Sequence, residues 1–487
     1  MSNKKDNRFN LHEILDSSSY DHALIATYTF DPEFFEEYCL EKLKSLSGNG
    51  NISVLVDRGE YEKVIKGTDS SMPQKANLRY LLHPVYVLGA FHSKIFLFVN
   101  QDHGLLVIGS ANFTRPGLAS NAELVSCYEY EVEEKEQFKY LFMSAFHYFR
   151  QISNYSLSQT LESNIRVVER EIAWLTEGYN NEINESNPVL LHNIDTPLWE
   201  QLKAKIEQPV DSISVLSRYF DPTPTLLDRV DRDFKPKKIK IFTQNGITTL
   251  TSQWLKHPLV RKSKVEIYLC TYKDEEHSQP LHAKAIAIEK DKNIVFAFGS
   301  ANFTTPAMLR TMNDGNAEVI LCFHGLSKSS ISPERFFDPD NTAILLNHEK
   351  QLNFTQEEDK KSPSNRYDIL LKEALLEGER LCLIADISEK FRQYPLIAEI
   401  SSPNKPTQQV KLQQLDEGYY DADLSDEMLK NFGDQSSVVQ IKALMNDELI
   451  ALSNPLLLTQ STRYSNRWKC ASRATNKGSN AKHRQVP

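Results

Sequence analysis

Apolar residues in this chain fall into short runs separated by turn-forming residues. His22 to Phe30 and Ile213 to Phe220 are apolar stretches of strand length, and each runs into an Asp-Pro pair. Proline suits a first helical turn and the aspartate its cap, so helices are predicted to follow. Glu33 to Leu46 spaces its apolar residues as a helix would. Further strands are predicted over Ile52 to Val56 and Ile239 to Thr243. Two hairpins come next: His92 to Val99 against Leu105 to Ile108, and His282 to Ile288 against Ile294 to Phe298. Pro116 and Pro306 mark helix starts, Gln151 to Glu177 reads as helical, and Asn180 to Asn187 is a polar break. Cys127 and Cys322, each inside an apolar run, read as core. Strands and helices alternating in this way predict an α/β fold.

The pattern occurs twice because the residues do. Phe91-His-Ser-Lys94 leading to Gly109-Ser-Ala-Asn-Phe-Thr114 returns as Leu281-His-Ala-Lys284 leading to Gly299-Ser-Ala-Asn-Phe-Thr304, at a spacing of 190 residues. Phe30-Asp-Pro32 returns as Phe220-Asp-Pro222 at the same spacing, and Asn121-Ala-Glu123 as Asn316-Ala-Glu318 after a small insertion. Four landmarks in one order mean two copies of one module.

Beyond Gly325 the texture changes. Ser327 to Lys361 is polar and loop-like. Short alternating runs then appear at Leu381 to Ile387, Tyr394 to Ser401, Gln409 to Leu415, Val438 to Leu444 and Leu449 to Leu458, and they predict a small β-sandwich. Ser461 to Pro487 holds seven Lys or Arg and no acid, the composition of a disordered basic tail. The expected division is a first half with a helical linker (1–187), a second half (188–345), a β-rich accessory domain (346–460) and the tail (461–487).

Composition narrows the classes. A chain of 487 residues is several cores long, and 40% hydrophobic with 25% charged residues excludes disordered and membrane-embedded classes. A formal net charge of -9 argues against a surface that binds nucleic acid everywhere, while leaving room for a local basic cleft. Residues 346–460 carry 12 basic and 20 acidic side chains, so the excess is not confined to the modules. The first ten residues lack the apolar stretch of a signal peptide, and no apolar run reaches bilayer length. Six cysteines without a CxxC pair speak against a zinc ribbon or a disulfide framework. A cytoplasmic protein is expected.

If His92 and Lys94 lie on a strand, they share a face, as do His282 and Lys284. Asn112 and Asn302 sit where the chain enters a helix, a place that favours an anion, with helix capping the second role open to them. Ser110 and Ser300 are candidates for phosphate contact, with turn formation the open alternative. Phe113 and Phe303 read as core. His83, His103 and His277 have no counterpart in the other copy and read as surface residues. The doubled set suits a phosphodiester: one imidazole to attack phosphorus, one to protonate the leaving oxygen, and two lysines and two asparagines to balance the non-bridging oxygens. Glu123 and Glu318 can each accept from an imidazole N–H and fix its tautomer. No cofactor and no metal are expected.

His-x-Lys followed by Gly-Ser-x-Asn, present twice, resembles the phospholipase D superfamily over roughly residues 20–325. The resemblance implies two α/β halves with the active site at their interface and a two-step reaction through a covalent phosphohistidine. By resemblance His92 is the nucleophile, and His282 protonates the leaving group and then activates water. Many members carry Asp seven residues after the histidine; Val99 and Glu289 stand there instead, and Asp102 and Asp291 fall in the predicted turns. The remaining set looks more like the tyrosyl-DNA phosphodiesterase and nuclease-type branches. The resemblance thus implies a metal-independent nuclease acting on DNA or RNA, in bacterial defence or DNA repair, with a helicase or other repair protein as possible partner of the C-terminal domain. The alternatives are a phospholipid hydrolase or phosphatidyltransferase, and a partner-binding scaffold. One chain holds both motif sets, so a monomer can assemble the site, with a homodimer as the open alternative.

Overall fold

The computed structural model describes residues 20–40, 43, 51–67, 72–132, 138–178, 188–274, 277–328, 332–346, 367–432 and 435–460. The chain divides into two compact units, one of Met1–Ala76 with Tyr80–Arg366, the other of Asn77–Arg79 with Tyr367–Pro487.

Within the first unit, β1 (His22–Thr27), β2 (Asn51–Asp57) and β3 (Leu81–Val85) run parallel, while β4 (Ile95–Val99), β5 (His103–Gly109) and β6 (Val125–Glu131) form an antiparallel meander. The sheet order is β3-β2-β1-β4-β5-β6. All of β1 and β4 is buried, as expected of near-continuous apolar runs covered on both faces.

The second half supplies β7 (Val189–His192), β8 (Ser212–Leu216), β9 (Lys238–Gln244), β10 (Val265–Cys270), a small hairpin of β11 (Lys273–Asp274) and β12 (His277–Ser278), then β13 (Ala285–Lys290), β14 (Asn293–Gly299), β15 (Val319–Ser327) and β16 (Ile344–Leu345). Its sheet order is β16-β10-β9-β8-β13-β14-β15-β7. The central six strands repeat the order of the first sheet, with one strand added at each edge. The added β7 covers β15 and leaves Cys322 fully buried. β6 has no such neighbour among the described residues, and Cys127, expected in the core, is exposed.

The Asp-Pro pairs also diverge. Asp31 caps the helical segment Pro32–Phe34 by accepting from Phe34 N at 3.0 Å, and the chain continues as a π-helix over Phe35–Cys39. Asp221 accepts instead from Thr305 N and Oγ1 at 2.8 and 2.7 Å, and the helix begins only at Thr225. One apolar core draws on both halves and on the helices Lys139–Ser156 and Gln159–Glu171; a second belongs to the second half alone.

The second unit holds β17 (Ile369–Glu377), β18 (Arg380–Ile387), β19 (Leu396–Ser401), β20 (Gln408–Lys411), β21 (Gln413–Asp416), β22 (Tyr419–Asp423), β23 (Val438–Met445), β24 (Glu448–Leu452), β25 (Leu456–Leu457) and β26 (Thr459–Gln460). They form two five-stranded sheets. Alternate residues of β17, β18 and β23 are buried, the pattern of strands with one face on a core. The basic tail of residues 461–487 lies outside the described residues, as does the polar break of residues 180–187. No described helix is long and apolar enough to cross a membrane.

Candidate active site

The two His-x-Lys tripeptides were expected inside strands, but β4 and β13 begin just after them, at Ile95 and Ala285. Their backbone partners lie in the opposite half. His92 N donates to Ala317 O at 2.9 Å, and His282 N donates to Ala122 O at 3.0 Å. Phe91 and Ala317, like Leu281 and Ala122, form single parallel bridges. Each histidine is therefore pinned to the other module before its own strand starts.

The residues that hold these entries were not apparent from the repeat. Asp57, at the end of β2, accepts from Phe91 N at 2.9 Å; Gln244, at the end of β9, accepts from Leu281 N at 2.6 Å. They do one job with different side chains, three residues out of register with the 190-residue spacing. Asp57 also caps the helix Arg58–Lys66 through Gly59 N and Glu60 N.

The carboxylates cross over. His92 Nδ1 lies 3.1 Å from Glu318 Oε2, and His282 Nδ1 lies 2.7 Å from Glu123 Oε1. Ser110 Oγ donates to Glu123 Oε2 and Ser300 Oγ to Glu318 Oε2. Each serine also accepts from backbone, Leu124 N at 3.0 Å and Val319 N at 2.9 Å. The serines were candidates for phosphate contact, but these fully buried hydroxyls are occupied in orienting the glutamates. Asn121 and Asn316 support the same carboxylates through Nδ2, at 3.3 and 3.0 Å.

This explains the glycine of each Gly-Ser pair. A Cβ on Gly109 would stand 2.3 Å from Leu124 O, and one on Gly299 would stand 2.5 Å from Val319 O. Only glycine lets the serine-bearing strand approach the glutamate-bearing strand closely enough.

Lys94 Nζ donates to His92 O at 2.9 Å, and Lys284 Nζ donates to His282 O. Burial pushes both ammonium groups below the ordinary lysine range, Lys94 helped by the charge of Lys284; Lys284 comes down to about 8. Burial likewise lowers both imidazoles, His282 to about 4, against the upward pull of the glutamates. Glu123 and Glu318 resist burial and sit below the usual carboxylate range, held there by the facing histidines, the lysines and the serine hydroxyls. At neutral pH the arrangement is carboxylate and neutral imidazole, with Nδ1–H donating to the glutamate and the Nε2 lone pair free to act as base or nucleophile.

Asn112 and Asn302 each carry a buried Oδ1 without a hydrogen-bond partner, a cost that binding sites retain. The helices after them are short, Arg115–Ala119 and Thr305–Met308, so the anion-favouring helix end expected there is at most one turn. The Tyr28 ring lies 5.1 Å from that of His92, and Lys94 Nζ lies 5.6 Å from the Tyr28 ring centre. The position matching Tyr28 in the second half is Arg218, whose charge is felt by Lys284. Phe113 and Phe303 are buried. His83, expected at the surface, is buried on β3 and its pKa falls to about 4 through burial alone. His103 opens β5, half-buried; the side chain of His277 lies outside the described residues. Among the described residues no three His, Cys, Asp or Glu stand together as metal ligands.

The family model described as "Cardiolipin synthase, PLD-like domain" matches residues 11–145 and 202–328, one segment in each half. No curated protein matches. Yeast tyrosyl-DNA phosphodiesterase is 12% identical with a TM-score of 0.44, covering 65% of this chain and 86% of its own. Phosphatidylserine synthase of Haemophilus influenzae is 14% identical with a TM-score of 0.41, covering 70% and 86%. NucT from Helicobacter pylori is 13% identical with a TM-score of 0.25, covering 33% of this chain and 98% of its own.

Proposed function

The chain belongs to the phospholipase D-like family, and from that premise we propose that it is a metal-independent nuclease, cleaving DNA or RNA through a covalent phosphohistidine. The observation that carries the reading is the pair of crossed histidine–glutamate contacts, which supply two activated imidazoles to one place.

His92 Nε2 attacks phosphorus. The N–P bond forms as the P–O bond to the leaving oxygen breaks, and His282 gives that oxygen its proton. Water then attacks phosphorus and delivers a proton to His282; the N–P bond breaks and His92 returns to the neutral state. In the intermediate Glu318 balances the positive imidazole ring of His92; Glu123 balances His282 in its protonated form, before the proton goes to the leaving oxygen and again after water returns one. Lys94, Lys284, Asn112 and Asn302 hold the non-bridging oxygens. Burial lowers the His282 pKa, and the phosphodiester anion opposes this when it binds, so that His282 takes up a proton from solvent and can serve as the acid. The nucleophile's assignment to His92 rests on the family pattern. Action in the cytoplasm, in defence or DNA repair, with a helicase or similar partner on residues 346–460, completes the proposal.

The test is cleavage of end-labelled single- and double-stranded DNA and RNA in excess EDTA. Wild type is expected to cleave, and His92→Ala to be inactive. His282→Asn is expected to retain the label on the protein through an acid-labile bond. Label on His92→Ala would exchange the two roles. Head-group release from phospholipid vesicles, with nucleic acids untouched, would replace the nuclease reading by a lipid one.

A further inference from the structure

Strand direction brings more than the catalytic set to one edge of the first sheet. β1, β2 and β3 are parallel and end at the edge where antiparallel β4 begins and β5 ends. Tyr28, Arg58, Tyr86, the His92–Lys94 tripeptide and Asn112 with Arg115 all leave or enter the sheet there. In the second half Arg218 and Tyr219 follow β8 at the edge where His282–Lys284 enters β13.

Three guanidinium groups at these edges lie over tyrosine rings. Arg58 is 5.8 Å from the centre of Tyr86, Arg115 is 5.4 Å from Tyr38, and Arg218 is 4.8 Å from Tyr219. Tyr38 is 45% exposed, and Leu88, two residues past Tyr86, is 75% exposed. The charge of Arg218 is felt by Lys284, which places the second-half pair beside the lysine of the site. Three carboxylates in this region make contacts of their own. Asp57 faces backbone N–H groups, Glu60 faces Tyr28 and Lys63, and Glu36 accepts from Gln74 N, Lys75 N and Tyr80 OH.

We infer that these pairs form a rim for single-stranded nucleic acid, with unpaired bases on the tyrosine and guanidinium faces and neighbouring phosphates on N–H groups of Arg58 and Arg115. The inference rests on the nuclease reading above and names its substrate class. Planar rings paired with planar cations suit a planar, π-faced ligand whose backbone is anionic. A duplex keeps its base faces stacked inside, and a phospholipid has no planar group to offer. The rim also answers the charge problem: a chain of net charge -9 needs local cations to hold a polyanion.

The test uses the full chain. Anisotropy of a labelled single strand, its duplex and phosphatidylglycerol vesicles is measured in the His92→Ala background, and hydrolysis of bis-p-nitrophenyl phosphate in the otherwise wild-type chain. Tyr38→Ala and Tyr86→Ala are each expected to weaken single-strand binding about ten-fold and leave duplex binding and the small ester within about two-fold. Arg58→Ala and Arg115→Ala are expected to weaken single strand and duplex together and to flatten the salt dependence. Single-strand binding unmoved by the tyrosine changes, or tighter binding of duplex or vesicles, overturns the rim. If oligonucleotides are still cleaved in that case, the nuclease reading stands without it. If the wild type turns over the small ester but neither binds nor cleaves any nucleic acid, the nuclease reading itself falls.

Discussion

At the scale of single residues, each imidazole is governed by a glutamate from the other module. Glu318 raises the His92 pKa against burial, so removing its charge lets burial win further. Glu318→Gln is expected to move the acid limb of the kcat/KM profile to lower pH. A group whose pKa is depressed is protonated, and lost as a nucleophile, only at lower pH. The same change is expected to cost about 10² to 10³ in kcat, because the positive ring formed on attack loses its counter-charge. A limb that stays in place would remove Glu318 from the role given to it. Binding of a small phosphodiester anion such as dimethyl phosphate at pH 7 is expected to take up protons from solution. Calorimetry in buffers of different ionisation enthalpy measures this, and zero uptake would contradict the low ground-state pKa of His282.

Elements position these side chains through a few short-range devices. Asp57 ends β2, caps the next helix and holds Phe91 N, so Asp57→Ala leaves three backbone N–H groups without their acceptor. A loss of about 2 kcal/mol is expected, visible as a lowered Tm, with partial recovery in Asp57→Asn, which keeps one acceptor oxygen. Gly109→Ala is expected to cost at least as much, since its Cβ would meet backbone rather than a movable side chain. Its activity is expected to fall further than its stability explains, because Ser110 and Glu123 are displaced together. Equal activity in Gly109→Ala would show that the close strand approach is dispensable. The strands and hairpins were legible because apolar runs and turn residues mark them. The entry segments were not: His92 and His282 lie in regular-looking sequence, and only their pairing to Ala317 and Ala122 removes them from the strands. Cys127 misled for a related reason, since an edge strand and a central strand can carry similar residues.

For the whole molecule, the crossed contacts make the two modules one catalytic body within the first unit. In side-chain 15N NMR of the histidines, Glu318→Gln is expected to perturb His92 and spare His282, and Glu123→Gln to do the reverse. The opposite pairing would refute the crossing. Specific activity is expected to be independent of enzyme concentration, because both motif sets lie in one chain; loss on dilution would indicate that a second copy is needed.

The division between sequence and structure follows from what repeats can and cannot encode. Alternating strand-like and helix-like runs determined the fold class, and the doubled His-x-Lys and Gly-Ser-x-Asn motifs the number of modules and the family, since local motifs carry residue types and spacing. They carry no information about which copy a side chain turns to. Glu123 stands closer in sequence to His92 than to His282, yet serves His282, because a two-fold arrangement exchanges partners across its axis. The same arrangement decided that Ser110 and Ser300 support carboxylates rather than face phosphate, and that Asp57 and Gln244 are equivalent despite sharing neither residue type nor register. Contacts across the axis depend on how the modules meet, and that is a property of tertiary packing alone.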